Sequence, residues 1–94
     1  MQFLVTIEIL LPPDLPIDER DALVEAEGAR AGELIAAGSL VNLWRVPGRR
    51  ANVGIWEAPD ATALHEALTS LPLWPWMDVE VTALADHPNA PRKN

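Results

Sequence analysis

Arg45, Asn52 and Trp56 bring a guanidinium, a carboxamide and an indole into one short stretch of the chain. Such hydrogen-bonding groups could orient a small oxygenated molecule if the fold gathered them on one surface. The residues from Ser39 to Trp56 predict two strands closed by a turn at Pro47-Gly48-Arg49-Arg50. A turn centred on Gly48 and Arg49 predicts three cross-strand pairs: Arg45 with Asn52, Trp44 with Val53, and Leu43 with Gly54.

Alternation along these two strands gathers the polar groups on one face. Gly54 leaves room between them because it has no side chain. The sequence therefore predicts a small-molecule pocket on this face. The predicted pocket face carries Val41, Leu43, Arg45, Asn52, Gly54 and Trp56, and the opposite face carries Trp44, Val53 and Ile55.

Glu27 is the position that stands out on the first predicted helix. The spacing predicts a helix that begins at an N-cap, Asp18, runs to Ala37 and ends at Gly38. Glu27 falls on or beside its apolar stripe. It is either a boundary carboxylate that reaches water, the commoner case, or a partly desolvated base that works near neutral pH. The stripe comprises Leu23, Glu27, Arg30 or Ala31, Leu34 and Ile35.

Two further candidates are Glu8 and His65. Alternation in the first strand places Glu8 beside Thr6, on the face away from Phe3, Val5, Ile7 and Ile9. We expect the same open face of the sheet to carry Arg45 and Asn52. His65 follows Leu64 on a second helix but lies off its apolar face, and a lone histidine of this kind is more often structural or solvent-facing than functional.

The order of the elements is β-α-β-β-α-β. A strand spans residues 1–11, a second helix capped by Asp60 spans 61–70, and a last strand spans 78–84. This order predicts the α+β class and a ferredoxin-like sandwich, with two helices on one face of a four-stranded antiparallel sheet. The open face, with Thr6, Glu8, Arg45 and Asn52, then needs a cover, and a second subunit is the simplest one. The apolar segment of residues 71–77 fits a subunit interface better than a pocket mouth.

Bulk properties narrow the class of protein. The 94 residues predict one domain, and a hydrophobic share of 49% predicts a homo-oligomer. A net charge of −7 argues against nucleic acid and anionic membranes as partners. The absence of cysteine excludes disulfides and thiolate sites, and His65 and His87 lie too far apart to suggest a metal site, so we expect no bound metal. No targeting or membrane-spanning pattern is visible, which predicts a cytoplasmic location.

A set of short motifs runs in order along the chain: Phe3-Leu4-Val5, Leu43-Trp44-Arg45, Gly48, Ala51-Asn52, Leu64-His65, Leu71-Pro72-Leu73, Pro75, Met77-Asp78 and His87-Pro88. Together they resemble the muconolactone Δ-isomerase family over residues 1–88. The resemblance implies a single ferredoxin-like domain of the dimeric α+β barrel type over 1–88, dimers that assemble into a decamer, and a flexible or subunit-swapped tail over 89–94. It also implies a cofactor-independent shift of the ring double bond of muconolactone, giving 3-oxoadipate enol-lactone, in catechol catabolism through the β-ketoadipate pathway.

This reaction assigns roles to the candidate residues. Moving the double bond of an unsaturated lactone requires a base and hydrogen-bond donors aimed at the lactone oxygen. Glu27 is the first candidate base, because the resemblance matches it to an acidic position in the family's first helix, and Glu8 is the second. Arg45 would bind the substrate carboxylate or stabilise the enolate, and Asn52 would donate to the carbonyl oxygen. For substrate binding, Trp44 or Trp56 would form an apolar wall, with core packing as the commoner alternative, and His65 is a further candidate.

The chain differs from the family's pattern at five positions that we expect near the pocket. These differences support two alternatives to muconolactone isomerisation. One is an enzyme acting on another small oxygenated ring in secondary metabolism, and the other is a non-catalytic oligomer that binds a small molecule. Thr6 replaces a basic residue, Asn42 a histidine, Arg50 and Val53 aromatic hydroxyls, and Gly54 a serine.

Overall fold

Four strands and two helices make up the fold in the computed structural model, which describes residues 1–91. Their order, β-α-β-β-α-β, is the predicted one. The last three residues, half of the predicted tail, lie outside the described residues. The elements are β1 (Gln2–Ile9), α1 (Ile17–Ala36), β2 (Leu40–Arg45), β3 (Ala51–Glu57), α2 (Ala61–Thr69), a single 3-10 turn (Trp74–Trp76) and β4 (Met77–Leu84).

The strands form one sheet in the order β2-β3-β1-β4, and every neighbouring pair is antiparallel. This is the ferredoxin-like topology, so the predicted fold is confirmed. The predicted hairpin pairs, Arg45 with Asn52, Trp44 with Val53 and Leu43 with Gly54, are also confirmed. The turn closes where Val46 N donates to Ala51 O at 3.0 Å, and Gly48 adopts a φ of +77° that favours glycine.

The hydrophobic core lies between one face of the sheet and the two helices. Alternate residues of β1, Phe3, Val5 and Ile7, are almost completely buried on this face, which we call the helix-facing side of the sheet. Leu34 of α1 and the α2 residues Leu64 and Leu68 pack against them in one cluster, which places both helices on the same face of the sheet.

The ends of α1 agree with the prediction at one terminus only. Gly38 has a φ of +81° and donates to Ile35 O, while Ser39 N donates to Leu34 O, which together form a Schellman C-cap. The predicted N-cap, Asp18, is wrong, because Pro16 holds that position and its carbonyl accepts the first helical hydrogen bond from Arg20 N. Ile35, predicted on the core-facing stripe, is instead 56% exposed.

The open face of the sheet does not carry all the residues predicted for it. β1 pairs Ile7 with Asn52 and Val5 with Gly54, so Asn52 lies on the helix-facing side, and its partner Arg45 lies there too. Thr6 and Glu8 point to the opposite face. The prediction that all four share the open face is therefore wrong. The hairpin's own register was predictable, but its offset against β1 depends on a long-range pairing.

A bulge in β2 separates Leu40 from Leu43. The register shifts between Leu40, which pairs with Trp56, and Asn42, which pairs with Ile55. Because of the extra residue, Val41 does not keep the simple alternation with Leu43 that the sequence predicted, and its side chain is 54% exposed.

Asp60 generates a prediction for stability. Its carboxylate accepts a hydrogen bond from Ala63 N at 2.8 Å and caps α2, as predicted. Asp60→Ala should lower the free energy of unfolding by about 1 kcal/mol, since the cap satisfies a helix N–H group that otherwise lacks a partner. Denaturant unfolding measures this change. Asp14→Ala, at an exposed loop position, is the matched control, and equal losses for the two variants would contradict the assigned role of the cap.

Candidate active site

Glu27 lies in the middle of α1, half-buried on the side of the helix that faces the core. Its Oε1 atom accepts a hydrogen bond from Leu73 N at 3.0 Å. Burial raises the pKa of Glu27 above its ordinary value of 4.5, and the hydrogen bond from Leu73 opposes this with a smaller effect. The carboxylate is therefore a better base than one in water, while one of its oxygens is held in place.

The segment of residues 71–77 positions the backbone group that holds Glu27. Leu71 and Leu73 bury their side chains in the core, at 4% and 3% exposure. Trp74 N donates to Leu71 O and Trp76 N to Leu73 O, both at 2.9 Å, so the segment forms tight turns and leaves Leu73 N directed at Glu27. The sequence predicted an interface for this segment and gave no sign of this hydrogen bond, which joins groups 46 residues apart.

The sheet beneath α1 contributes polar atoms that have no partner. Asn52 Oδ1 and Trp56 Nε1 are buried and form no hydrogen bond within residues 1–91. Gly54 lies between them on the same face of β3, where a Cβ atom would stand 3.0 Å from the carbonyl oxygen of Asn42 and 3.3 Å from Trp56 Nε1. Buried polar atoms without partners are rare, and their presence indicates a place for a ligand or a water molecule.

The topology carries α1 across the face of β3 that bears these atoms. The β1-α1-β2 crossover carries α1 over β3, which lies between the two strands that the crossover connects. Leu34 of α1 and Trp56 belong to the same core cluster. Glu27 precedes Leu34 by two helical turns, about 10 Å, which is the length of about three strand residues. Because α1 runs in the same direction as β3, Glu27 precedes Leu34 along α1 as Asn52 and Gly54 precede Trp56 along β3.

Arg45 borders this region at the edge of the sheet. It pairs with Asn52 across the hairpin, its side chain is exposed, and it forms no ion pair within residues 1–91. The pKa shift of Glu27 arises from burial and the Leu73 hydrogen bond, without a contribution from a charged neighbour. Arg45 is thus available to a negatively charged ligand that enters from solvent.

The structure separates the remaining candidates from this group. Glu8 lies on the open face and forms an ion pair with Arg49 at 2.9 Å, beside a groove of about 400 Å³. Trp44 is 50% exposed on the same open face. His65 is exposed on α2, where its ring meets Trp74 edge to face with the ring centroids 6.0 Å apart. Within residues 1–91, the helix-facing side of the sheet therefore carries Arg45, Asn52 and Trp56, and Glu27 lies on the helix that covers it. Glu8 and Trp44 lie on the open face.

Metal ligands do not converge anywhere in the described part of the chain. Among residues 1–91, no three side chains of histidine, aspartate or glutamate lie close enough together to hold a metal ion.

Comparisons with known proteins place the chain among isomerases. The sequence profile of the muconolactone delta-isomerase family matches residues 1–90. The muconolactone Δ-isomerase of Pseudomonas aeruginosa is 38% identical over 90 residues, which are 96% of this chain and 94% of that protein. That of Cupriavidus pinatubonensis is 38% identical over 92 residues, 98% of this chain and 100% of its own. A crystal structure of a muconolactone isomerase superposes with a TM-score of 0.93 at 35% identity, covering 100% of this chain and 98% of that one.

The fold and these relatives define a ferredoxin-like α+β protein of an isomerase class. The chain belongs to the muconolactone Δ-isomerase family, and the resemblance predicted from its motifs is confirmed.

The raised pKa of Glu27 generates a prediction for stability against pH. A carboxyl group whose pKa is higher in the folded chain favours folding below its unfolded pKa, and this contribution is lost as the pH rises through the folded pKa. Glu27→Gln removes the titration and can still accept from Leu73 N. The variant should therefore gain stability relative to the parent as the pH rises from about 4 to about 8, measured by denaturant unfolding.

The matched control for that prediction is Glu25→Gln, which removes a negative charge from an exposed position of the same helix. If the parent instead gained stability relative to Glu27→Gln with rising pH, the fold would stabilise the ionised carboxylate. A raised pKa would then no longer support Glu27 as a candidate base.

Proposed function

We propose that this chain catalyses the family reaction, the shift of the ring double bond of muconolactone to give 3-oxoadipate enol-lactone during aromatic (catechol) catabolism. The observations that support this most directly are a half-buried carboxylate of raised pKa, Glu27, and two buried and unpartnered polar atoms on the face of β3 that α1 covers. A proton-transfer isomerase needs a base and polar groups around a space that excludes water.

Glu27 is the proposed base. Its carboxylate takes a proton from one ring carbon, the C–H electron pair moves through the ring to the carbonyl oxygen, and a dienolate forms. A proton then returns to the ring two carbons away, so the double bond moves and no atom is gained or lost. The hydrogen bond from Leu73 N holds Oε1 of Glu27, and Oε2 is left to carry the proton.

Arg45 and Asn52 are the proposed substrate contacts. The exposed guanidinium of Arg45 fits the free carboxylate of the substrate, because its forked donors match carboxylate geometry. Asn52 can donate to the carbonyl oxygen only if its carboxamide turns by half a rotation, since its oxygen is the atom that stands buried and unpartnered. Glu8, Trp44 and His65 have no proposed contact with a substrate that lies between α1 and β3.

The five differences from the family's pattern are compatible with this function. Thr6, Asn42 and Val53 lie on the open face, and Arg50 lies in the hairpin turn. Gly54 is the one difference that faces α1. The alternatives of another oxygenated ring or a non-catalytic binding protein rested on a cluster of differences at the pocket, and the positions of these residues do not support such a cluster.

We also propose that the chain works as a homo-oligomer in the cytoplasm, with dimers formed through the open sheet faces and assembled into a decamer. Apolar side chains on that face support it, notably Trp44 at 50% exposure beside the half-buried Val53 and Ile55. Neither helix within residues 1–91 is long and apolar enough to cross a membrane.

Glu27→Gln tests the proposed base. The parent should convert muconolactone at about ten per second, followed by the ultraviolet absorbance of the lactone. The variant should lose about 10²- to 10⁴-fold in kcat while keeping its fold, because a carboxamide cannot accept the proton. Glu25→Gln, on the exposed side of α1, should keep parental activity. Near-full activity of Glu27→Gln would remove Glu27 from the mechanism.

Arg45→Ala tests the proposed carboxylate contact. We expect KM for muconolactone to rise about 10- to 100-fold while kcat is largely kept. This rise corresponds to the free energy of one charged hydrogen bond. Steady-state kinetics measure both constants, and Arg20→Ala, an exposed arginine on α1, controls for the loss of one positive charge. An unchanged KM would show that Arg45 does not bind the substrate.

A further inference from the structure

Trp56 is a buried polar residue that the proposed function leaves without a polar role. Its side chain is 2% exposed, and its Nε1–H group has no hydrogen-bond partner within residues 1–91. An unpaired donor away from water is unfavourable, and buried tryptophan N–H groups ordinarily find a partner. A phenylalanine would fill an apolar wall without this penalty. The indole N–H therefore indicates a partner that the described part of the chain does not supply.

Gly54 shows where that partner can approach. A Cβ atom at position 54 would stand 3.3 Å from Trp56 Nε1 and 3.1 Å from Leu43 Cδ1. Glycine thus keeps the edge of the indole ring clear on this side. Leu43, whose side chain borders the same point, is 44% exposed, so it can rotate toward solvent and admit a ligand.

The two unpartnered atoms on β3 suit opposite kinds of ligand atom. Asn52 presents an oxygen, which accepts hydrogen bonds, whereas Trp56 presents an N–H group, which donates them. The carbonyl oxygen of the lactone gains negative charge as the dienolate forms, and it is stabilised by donors. Of the two atoms, Trp56 Nε1 has the polarity that this oxygen requires.

We propose that Trp56 is a catalytic residue of the isomerisation, because its Nε1–H group donates a hydrogen bond to the carbonyl oxygen of the lactone. This inference rests on the proposed function, because it places the ring between Glu27 and β3. No bond to Trp56 forms or breaks. Glu27 takes the ring proton, the electron pair moves to the carbonyl oxygen beside the indole N–H, and the pair returns to the ring when carbon is reprotonated. Trp56 is therefore a donor as well as an apolar wall.

Replacing the N–H group without changing the shape of the ring tests the donor. Trp56→benzothienylalanine exchanges the indole nitrogen for sulfur in a ring of nearly equal size. We expect kcat to fall about 100-fold, the usual effect of removing one such donor, with an unchanged circular dichroism spectrum and melting temperature. The same replacement at Trp44, on the open face, should leave kcat unchanged. A parental kcat for the Trp56 variant would overturn the proposal.

A binding measurement on the parent separates this proposal from the proposed function. The four tryptophan indole ¹⁵N–H signals, assigned by single Trp→Phe variants, are followed while the saturated lactone with the same carboxymethyl group is added. The Trp56 proton should move downfield, while those of Trp44, Trp74 and Trp76 should move little.

The outcomes of that titration are distinct. A Trp56 signal that stays in place while calorimetry shows binding would mean that the N–H group bonds a buried water, and would overturn the donor role even if the parent is active. A shifted signal with no turnover of muconolactone would overturn the proposed reaction and support Trp56 as a ligand donor. Absence of binding would overturn both.

Discussion

The pairing of β1 with β3 is the constraint on which the site depends. Its register places Asn52, Gly54 and Trp56 on the same face as Ile7, Val5 and Phe3. A slip of one residue would turn the three β3 residues toward the open face, away from Glu27. The three buried side chains of β1, which are 0 to 3% exposed, hold β1 in place against the helices, and β3 is aligned on β1. Residues that do no chemistry thus hold the polar groups inside the fold.

Above the sheet, two opposing effects set the pKa of Glu27, the proposed base. Burial raises the pKa of Glu27, and the hydrogen bond from Leu73 N lowers it by a smaller amount. A fully buried carboxylate without a donor would stay protonated and could not accept a proton, whereas one in water would be a weak base. The 71–77 segment therefore does more than fill the core, because the position of one backbone N–H group influences both the orientation and the basicity of the carboxylate.

The parts of this structure that could be predicted from the sequence are those encoded locally. The turn at residues 47–50 determines the hairpin register, and Asp60 and Gly38 mark two helix ends through their own chemistry. The face of Arg45 and Asn52 could not be predicted, because it depends on how β3 aligns with a strand some 45 residues earlier, on the order of half the chain. The sequence predicted both on the open face, whereas the pairing with β1 places them on the helix-facing side. The hydrogen bond from Leu73 N to Glu27 was equally unpredictable, because every residue except proline has a backbone N–H group.

The position of Asn52 and Trp56 on the helix-facing side carries information about function. A sheet face buried by helices is the place where an asparagine oxygen and an indole N–H without partners are most unfavourable, and an apolar residue at either position would satisfy the fold better. The open face, which would have tolerated them, instead carries the half-exposed Trp44 and the ion-paired Glu8. The two faces therefore differ in character. The exposed one suits association between copies, and the covered one keeps polar groups away from water beneath α1. A proton-transfer site gains from that second arrangement, because hydrogen bonds and charges act more strongly where water is excluded.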